Sequence, residues 1–131
     1  MKKTLLLLCL VCTLSQAYAW KPLFAGHRGS YRGVENTEEA MMNGINYYGY
    51  TGLEIDVKTT SDGEYVCWHD DIITKCSPNC TIYSSTLATI QSKTLTQTRN
   101  GVTYTGKICT VDRYLEICKQ YNVTPVVELK Y

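Results

Sequence analysis

The sequence has no run of basic residues beyond its amino terminus, and this absence argues against nucleic acid as a partner. Its 13 Lys and Arg residues nearly balance 12 Asp and Glu residues. Loss of Lys2 and Lys3 with the amino-terminal segment described below would change the formal net charge from +1 to −1. Nucleic-acid-binding surfaces need clustered positive charge, so we expect no nucleic acid partner.

The chain also lacks an internal repeat, a linker and a paired zinc motif. The segment Cys76-Ser-Pro-Asn-Cys80 stands alone, with no second such pair and no histidine nearby at zinc spacing. We therefore favour a disulfide between Cys76 and Cys80 that closes a short loop, over a zinc knuckle. Cys67 lies in the middle of a predicted strand and is the cysteine that we most expect to remain free.

Long apolar runs are missing except at the amino terminus. Lys2 and Lys3 precede an apolar stretch over 5–14, and Ala-Tyr-Ala follows at 17–19. This order is typical of a secretory signal peptide, and the apolar stretch is too short to span a membrane. We predict a signal peptide over 1–19, a single domain over 20–131, and a secreted or periplasmic protein with no stable membrane span after cleavage.

Predicted strands and helices alternate along this domain, which favours an α/β fold with parallel strands and right-handed crossovers. Residues 71–110 have little regular pattern, so a loop-rich insertion is expected after His69. The predicted elements are a strand over 22–26, a helix capped by Asn36 or Thr37, strands over 53–57 and 65–68, a short helix over 87–92, a helix from Thr110 to Asn122, and a strand over 124–130.

Two carboxylates share one face of the strand over 53–57. Apolar and acidic residues alternate there, so Glu54 and Asp56 point away from the apolar side chains. Such a face is often simply exposed to solvent. The alternative is a site for a hard divalent cation, Mg²⁺ or Ca²⁺, which would relieve the repulsion between the carboxylates.

Further polar residues lie at the ends of the other predicted strands. They are His27 and Arg28, His69, and finally Glu128 with Lys130. Taken singly, each has an ordinary explanation as a structural histidine, a helix cap or a surface ion pair. The carboxyl ends of parallel strands, however, meet at the edge of the sheet where ligands bind. Their joint arrangement therefore favours a metal-assisted acid–base site.

Six short motifs in this order make the sequence similar to a known family. They are Gly26-His27-Arg28-Gly29, Glu35-Asn36-Thr37, Leu53-Glu54-Ile55-Asp56-Val57, Thr60-Ser61-Asp62-Gly63, Val66 to Asp70, and Val127-Glu128-Leu129-Lys130. The set resembles the glycerophosphodiester phosphodiesterases and covers nearly all of 20–131.

The resemblance implies a TIM-type barrel and hydrolysis of glycerophosphodiesters to glycerol 3-phosphate and an alcohol. It implies that the metal ligands are Glu54, Asp56 and Glu128. It also implies that His27 and His69 are the acid–base pair and that Arg28 and Lys130 hold the phosphate. Which histidine is the base stays open, as does attack by water against formation of a cyclic phosphate.

A complete barrel of this type has about 250 residues, so we expect the amino-terminal half of a barrel, either truncated or completed by a second chain. Such a half should hydrolyse its substrate weakly and self-associate through its open edge. Two other functions remain in play: a phospholipid head-group phosphodiesterase of the sphingomyelinase D-like type, and a non-catalytic phosphodiester-binding fragment. Glu128 followed by Lys130 favours the glycerophosphodiesterase.

Overall fold

The computed structural model describes residues 22–130, so the predicted signal peptide over 1–19 lies outside the described residues. The strands are β1 (Ala25–Gly26), β2 (Gly52–Thr59), β3 (Tyr65–Cys67), β4 (Ile72–Ile73), β5 (Cys80–Thr81), β6 (Leu95–Arg99), β7 (Val102–Gly106) and β8 (Thr124–Leu129). The helices are α1 (Glu38–Asn46), α2 (Leu87–Ser92) and α3 (Val111–Tyr121).

Strand β2 is the centre of the main sheet. It pairs in parallel with β1 at its start and with β8 along its length, where Asp56 is the partner of Glu128. Strand β3 pairs antiparallel with the end of β2. The predicted strand–helix–strand order therefore produces parallel pairing of β1, β2 and β8 within a mixed sheet.

The helix boundaries follow from capping residues that the sequence shows. The side chain of Thr37 accepts a hydrogen bond from the backbone of Ala40 and caps α1, and Thr110 caps α3 in the same way through Arg113. Asn122 ends α3 with a left-handed backbone, φ 52°, a conformation that asparagine tolerates better than most residues. Of the two predicted caps for α1, the structure therefore selects Thr37.

The apolar face of β2 packs against α1 and α3. Leu53 and Ile55 are fully buried there, with Met41 from α1 and Tyr114 from α3. The Tyr114 hydroxyl donates to the carbonyl of Leu53, 2.7 Å away, and accepts from the backbone N–H of Val126, 2.8 Å away. This side chain therefore joins β2 to β8 from behind and fixes their register.

The segment after His69 has more regular structure than the sequence pattern predicts. It contains two small hairpins, β4–β5 and β6–β7, with α2 between them. Asn100 and Gly101 form the turn of the β6–β7 hairpin with φ values of 50° and 76°. These positive values are characteristic of the hairpin turns that asparagine and glycine favour. The expected loop-rich insertion is thus largely a folded hairpin unit.

The outer face of β8 is exposed. Val127 and Leu129 retain 46% and 60% of their accessible surface, although their β2 partners, Ile55 and Val57, are buried. Within the described part of the chain, β8 pairs only with β2. The result is an apolar strip beside an open strand edge.

The five described cysteines are all free. The structure does not contain the predicted disulfide between Cys76 and Cys80. The Cys76 thiol instead donates to the carbonyls of Ile73 and Pro78, and the Cys80 thiol donates to the hydroxyl of Ser85. Each sulfur therefore has its own hydrogen-bond partner. Cys67 is free, as predicted, and fully buried.

None of the helices formed by residues 22–130 has the length and apolar character needed to cross a membrane.

Candidate active site

Three carboxylates converge on one face of the paired strands β2 and β8. Glu54, Asp56 and Glu128 each offer a ligand atom, and these atoms lie within 4.8 Å of one another. Strand alternation explains the cluster, because Glu54 and Asp56 occupy the face of β2 opposite Leu53 and Ile55, and the β2–β8 register places Glu128 beside Asp56. The structure thus brings together the three predicted metal ligands.

Asp56 is the most buried member of the cluster, with no exposed surface. Its Oδ2 accepts a hydrogen bond from Asn36 Nδ2 at 3.0 Å and lies 3.0 Å from Arg28 Nε. Its Oδ1 is buried without a hydrogen-bond donor among the described residues, and the ammonium of Lys130 is 3.4 Å away. A buried anionic oxygen is costly unless compensated, and the long contact with Lys130 compensates it only in part, so this atom fits a metal ligand.

The charges around the cluster also fit a divalent cation. Three carboxylates meet two cationic side chains, Arg28 and Lys130, which leaves one formal negative charge. Lys130 donates a hydrogen bond to Glu128 Oε1. This bond raises the pKa of Lys130, and the charge of Asp56 adds to the effect. Oxygen ligands with excess negative charge suit a hard ion such as Mg²⁺ or Ca²⁺.

Arg28 links the loop after β1 to the carboxylates. Its backbone N–H donates to Glu54 Oε2 at 2.8 Å, and its side chain donates to Glu35 Oε2 at 3.0 Å. Burial alone would lower the pKa of Arg28, but the hydrogen bond to Glu35 and the nearby charge of Asp56 outweigh burial and raise it. The residue has φ 52°, an unusual conformation that these contacts maintain.

The two predicted acid–base residues have different surroundings. His69 Nδ1 lies 2.6 Å from Asp70 Oδ1. Because an ionised carboxylate can only accept, the imidazole donates its Nδ1 proton to Asp70 and leaves Nε2 available for a substrate. This hydrogen bond lowers the pKa of Asp70. Among the described residues, no hydrogen bond or ion pair joins the His69 side chain to the carboxylate cluster.

His27 lies at the wall of a cavity of about 550 Å³ that Arg28 also lines, whereas the three carboxylates, His69 and Lys130 are not among its lining residues. Arg28 and Glu35 form one side of this cavity, and the β6–β7 hairpin forms the other. The hairpin is held there because Gln97 Oε1 accepts from the backbone N–H of Glu35 at 3.1 Å. The cavity is large enough for a small phosphodiester and opens beside the predicted phosphate-binding arginine.

Several residues of the site have roles that the sequence patterns do not assign. Asn36 is fully buried and orients Asp56, although the pattern suggests only a helix cap. Glu35 orients Arg28, and Asp70 orients His69. These residues lie in the motifs Glu35-Asn36-Thr37 and Val66 to Asp70, and this position was the only indication in the sequence that they belong to the site.

Comparison with known proteins identifies the family. A family model described as the glycerophosphoryl diester phosphodiesterase family matches residues 26–131. This chain belongs to that family. No curated protein sequence matches the chain.

Solved structures of the family share the fold. A glycerophosphodiester phosphodiesterase from Agrobacterium tumefaciens has a TM-score of 0.71 at 22% identity, covering 85% of this chain and 48% of its own. A phosphodiesterase from Oleispira antarctica, in complex with the product sn-glycerol-3-phosphate, has a TM-score of 0.70 at 26% identity, with 83% and 44% covered. The enzyme from Thermotoga maritima reaches 0.65 at 27%, with 86% and 46% covered.

The chain therefore spans about half the length of the solved structures that it matches. The predicted fold class, an α/β fold that forms part of a TIM-type barrel, is confirmed by these comparisons.

Proposed function

We propose that this chain carries the metal- and phosphate-binding site of a glycerophosphodiester phosphodiesterase, which hydrolyses glycerophosphodiesters to glycerol 3-phosphate and an alcohol. The observation that carries the proposal is the carboxylate cluster, in which the buried Asp56 Oδ1 has only a long contact of 3.4 Å with the Lys130 ammonium and Arg28 lies beside Oδ2. Family membership and the glycerol 3-phosphate bound to the Oleispira antarctica protein support the substrate class.

Glu54, Asp56 and Glu128 would hold a divalent cation, Mg²⁺ or Ca²⁺, which, when bound, neutralises phosphate charge and favours nucleophilic attack at phosphorus. Arg28 is among the residues that line the cavity, where its guanidinium would bind a phosphate oxygen through charge-assisted hydrogen bonds. Lys130 adds a second positive charge on the opposite side of Asp56. Together these groups would stabilise the negative charge that develops in the transition state.

His27 and His69 would move the protons. One imidazole removes the proton of the attacking hydroxyl or water, and the other protonates the departing alkoxide. Imidazole suits both tasks because its ordinary pKa is close to neutral pH. The contact with Asp70 supports a role for His69, because a carboxylate that accepts from Nδ1 fixes the tautomer and the orientation of the ring and leaves Nε2 free to face the substrate.

We also propose that the protein is exported through the signal peptide over 1–19, and that it self-associates through the open edge and exposed outer face of β8. The exposed side chains of Val127 and Leu129 support the proposed self-association. They are open to water, whereas the β2 residues with which they pair are buried. Apolar strips beside unpaired strand edges favour association between chains.

The experiment that tests the proposed function measures metal binding, product binding and turnover on the same chain. We expect calorimetry to detect Mg²⁺ or Ca²⁺ binding that Glu54→Gln removes, because it withdraws one anionic ligand. Binding of glycerol 3-phosphate should require the ion. Hydrolysis of glycerophosphocholine should be slow, and His27→Ala and His69→Ala should each lower it by about 10²–10⁴-fold without affecting metal binding.

A matched control is Glu116→Gln, which neutralises an exposed carboxylate on α3 that contacts only Arg113 among the described ion pairs. It should leave metal affinity and turnover unchanged. Absence of divalent-ion binding, or equal binding by Glu54→Gln, would refute the metal site. Ion-dependent binding of glycerol 3-phosphate with no detectable turnover would instead favour the non-catalytic phosphodiester-binding fragment.

A further inference from the structure

The β6–β7 hairpin brings a second arginine to the cavity. Arg99, at the end of β6, lines the same space as His27 and Arg28. Its side chain is only 15% exposed, although the hairpin itself is largely in solvent. The guanidinium is therefore turned away from solvent, toward Glu35 and Tyr31 at the wall of the cavity.

Arg99 is held there by two contacts. Its NH2 lies 4.0 Å from Glu35 Oε2, the oxygen that also accepts from Arg28 at 3.0 Å. Its Cζ lies 4.5 Å from the centre of the Tyr31 ring. One carboxylate thus serves two guanidinium groups, and Arg28 takes the closer position. The ion pair at 4.0 Å leaves Arg99 with hydrogen-bond donors to offer to another anion.

We propose that Arg99 makes this cavity select glycerophosphodiesters whose alcohol carries a carboxylate, and that it disfavours alcohols carrying only an ammonium group. The inference rests on the proposed function and names the substrate class of that same site. A carboxylate facing Arg99 forms paired, charge-assisted hydrogen bonds with the guanidinium. An ammonium group at the same position faces a like charge.

The aromatic residues of the cavity favour the same conclusion. Quaternary ammonium groups are usually bound over the faces of aromatic rings. Tyr31 already has the Arg99 guanidinium over its ring. Tyr50, the other tyrosine of this cavity, is stacked on Tyr48 with ring centres 5.3 Å apart. Each ring therefore has one face occupied, which leaves fewer aromatic faces in this wall for a quaternary ammonium group such as choline.

The test compares glycerophosphoserine with glycerophosphoethanolamine, because these two substrates differ only by the carboxylate. We expect the wild-type chain, with its divalent ion, to favour glycerophosphoserine in kcat/KM by about tenfold or more, as one charge-assisted interaction provides. Arg99→Gln should reduce this ratio to near one, and Arg99→Lys should retain part of it. If Arg99 has a purely structural role, Arg99→Gln should lower kcat/KM equally for both substrates and leave the ratio unchanged.

Arg32→Gln is the matched control. The Arg32 guanidinium also stacks on a tyrosine, with Cζ 4.1 Å from the Tyr47 ring centre, but neither residue is among those that line the cavity. Its removal should leave the ratio unchanged. A wild-type ratio near one, or an unchanged ratio in Arg99→Gln, overturns the inference while the proposed function stands.

If no diester is hydrolysed, dissociation constants measured by calorimetry still test the preference for a carboxylate separately from the proposed catalytic function. Lack of turnover contradicts the proposed function. The ratio of the two dissociation constants then replaces the ratio of kcat/KM values. Tighter binding of glycerophosphoserine than of glycerophosphoethanolamine supports the inference if Arg99→Gln abolishes the difference. Equal binding of the two diesters, or binding of neither, overturns it.

Discussion

Asn36 offers a sharp test of how the site is held together. Its side chain is fully buried and donates from Nδ2 to Asp56 Oδ2 at 3.0 Å. Its backbone has φ 58°, which asparagine and glycine tolerate and which alanine adopts only with strain. Replacement by glycine therefore removes the side-chain amide, whose Oδ1 also accepts a long hydrogen bond of 3.4 Å from the Asp56 backbone N–H, whereas replacement by alanine removes the amide and adds backbone strain.

The magnitudes follow from these two effects. A hydrogen bond to a charged group contributes about 1.5–3 kcal/mol, so Asn36→Gly should lower the free energy of unfolding by that amount. A left-handed backbone costs a residue with a Cβ about 1–2 kcal/mol, so Asn36→Ala should lose about 2.5–5 kcal/mol in total. Both variants should bind the divalent ion more weakly, because Asp56 loses the group that orients it.

Urea unfolding, followed by circular dichroism with and without the divalent ion, measures these differences. Asn43→Ala is a suitable control, because the Asn43 side chain donates to the backbone of Arg32 at an exposed position on α1. If Asn36→Gly unfolds at the same urea concentration as the wild type, the buried amide does not support Asp56. If the glycine and alanine variants are equally stable, the argument from backbone strain is wrong.

Two further predictions concern the strands. Tyr114→Phe should cost about 1–3 kcal/mol of unfolding free energy, because the backbone N–H of Val126 loses its acceptor. Burial raises the pKa of Tyr114 above its ordinary value of 10.0. Its contribution to the free energy of unfolding is therefore complete below pH 10 and declines as the pH rises above it. Urea titrations of Tyr114→Phe should show a smaller loss of stability at alkaline pH than those of the wild type. Leu129→Lys should shift the chain to smaller species on a sizing column, whereas Val102→Lys, at an exposed hairpin position, should not; unchanged elution of Leu129→Lys would contradict association through β8.

Alternation along β2 made much of the site predictable. Glu54 and Asp56 share a face because side chains alternate in any strand, and the strand–helix order predicts parallel pairing. The sequence patterns could not provide the register between β2 and β8, which decides that Glu128 lies beside Asp56. That register depends on tertiary contacts such as the Tyr114 hydroxyl, which no local pattern shows.

The β6–β7 hairpin was not predicted, although the sequence contains a pattern that is typical of a hairpin. Residues 95–106 alternate on both sides of Asn100-Gly101, a dipeptide that strongly favours a two-residue hairpin turn. The many threonines in this segment resemble those of a loop, which concealed the alternation. The inward position of Arg99 was beyond prediction, because it depends on the contacts of the folded hairpin with Glu35 and Tyr31.

The orientation of the buried Asp56 was also beyond sequence reasoning. Its partner Asn36 lies in a motif that also contains a helix cap, and capping was the simpler interpretation. Capping needs only local geometry, whereas the contact with Asp56 requires α1 and β2 to be already packed together.

The hairpin also places the cavity wall and the carboxylate cluster on separate parts of the chain. The carboxylates depend on pairing between distant parts of the chain, so substitutions in β2 or β8 disturb the sheet. Residues 95–106 instead pair with each other through five successive partners, and adjoin the site mainly through Gln97 and Arg99. Substitutions at cavity-lining positions of the hairpin, such as Thr98 and Arg99, therefore leave the β2–β8 register intact, and a preference for a different alcohol can arise within a dozen contiguous codons.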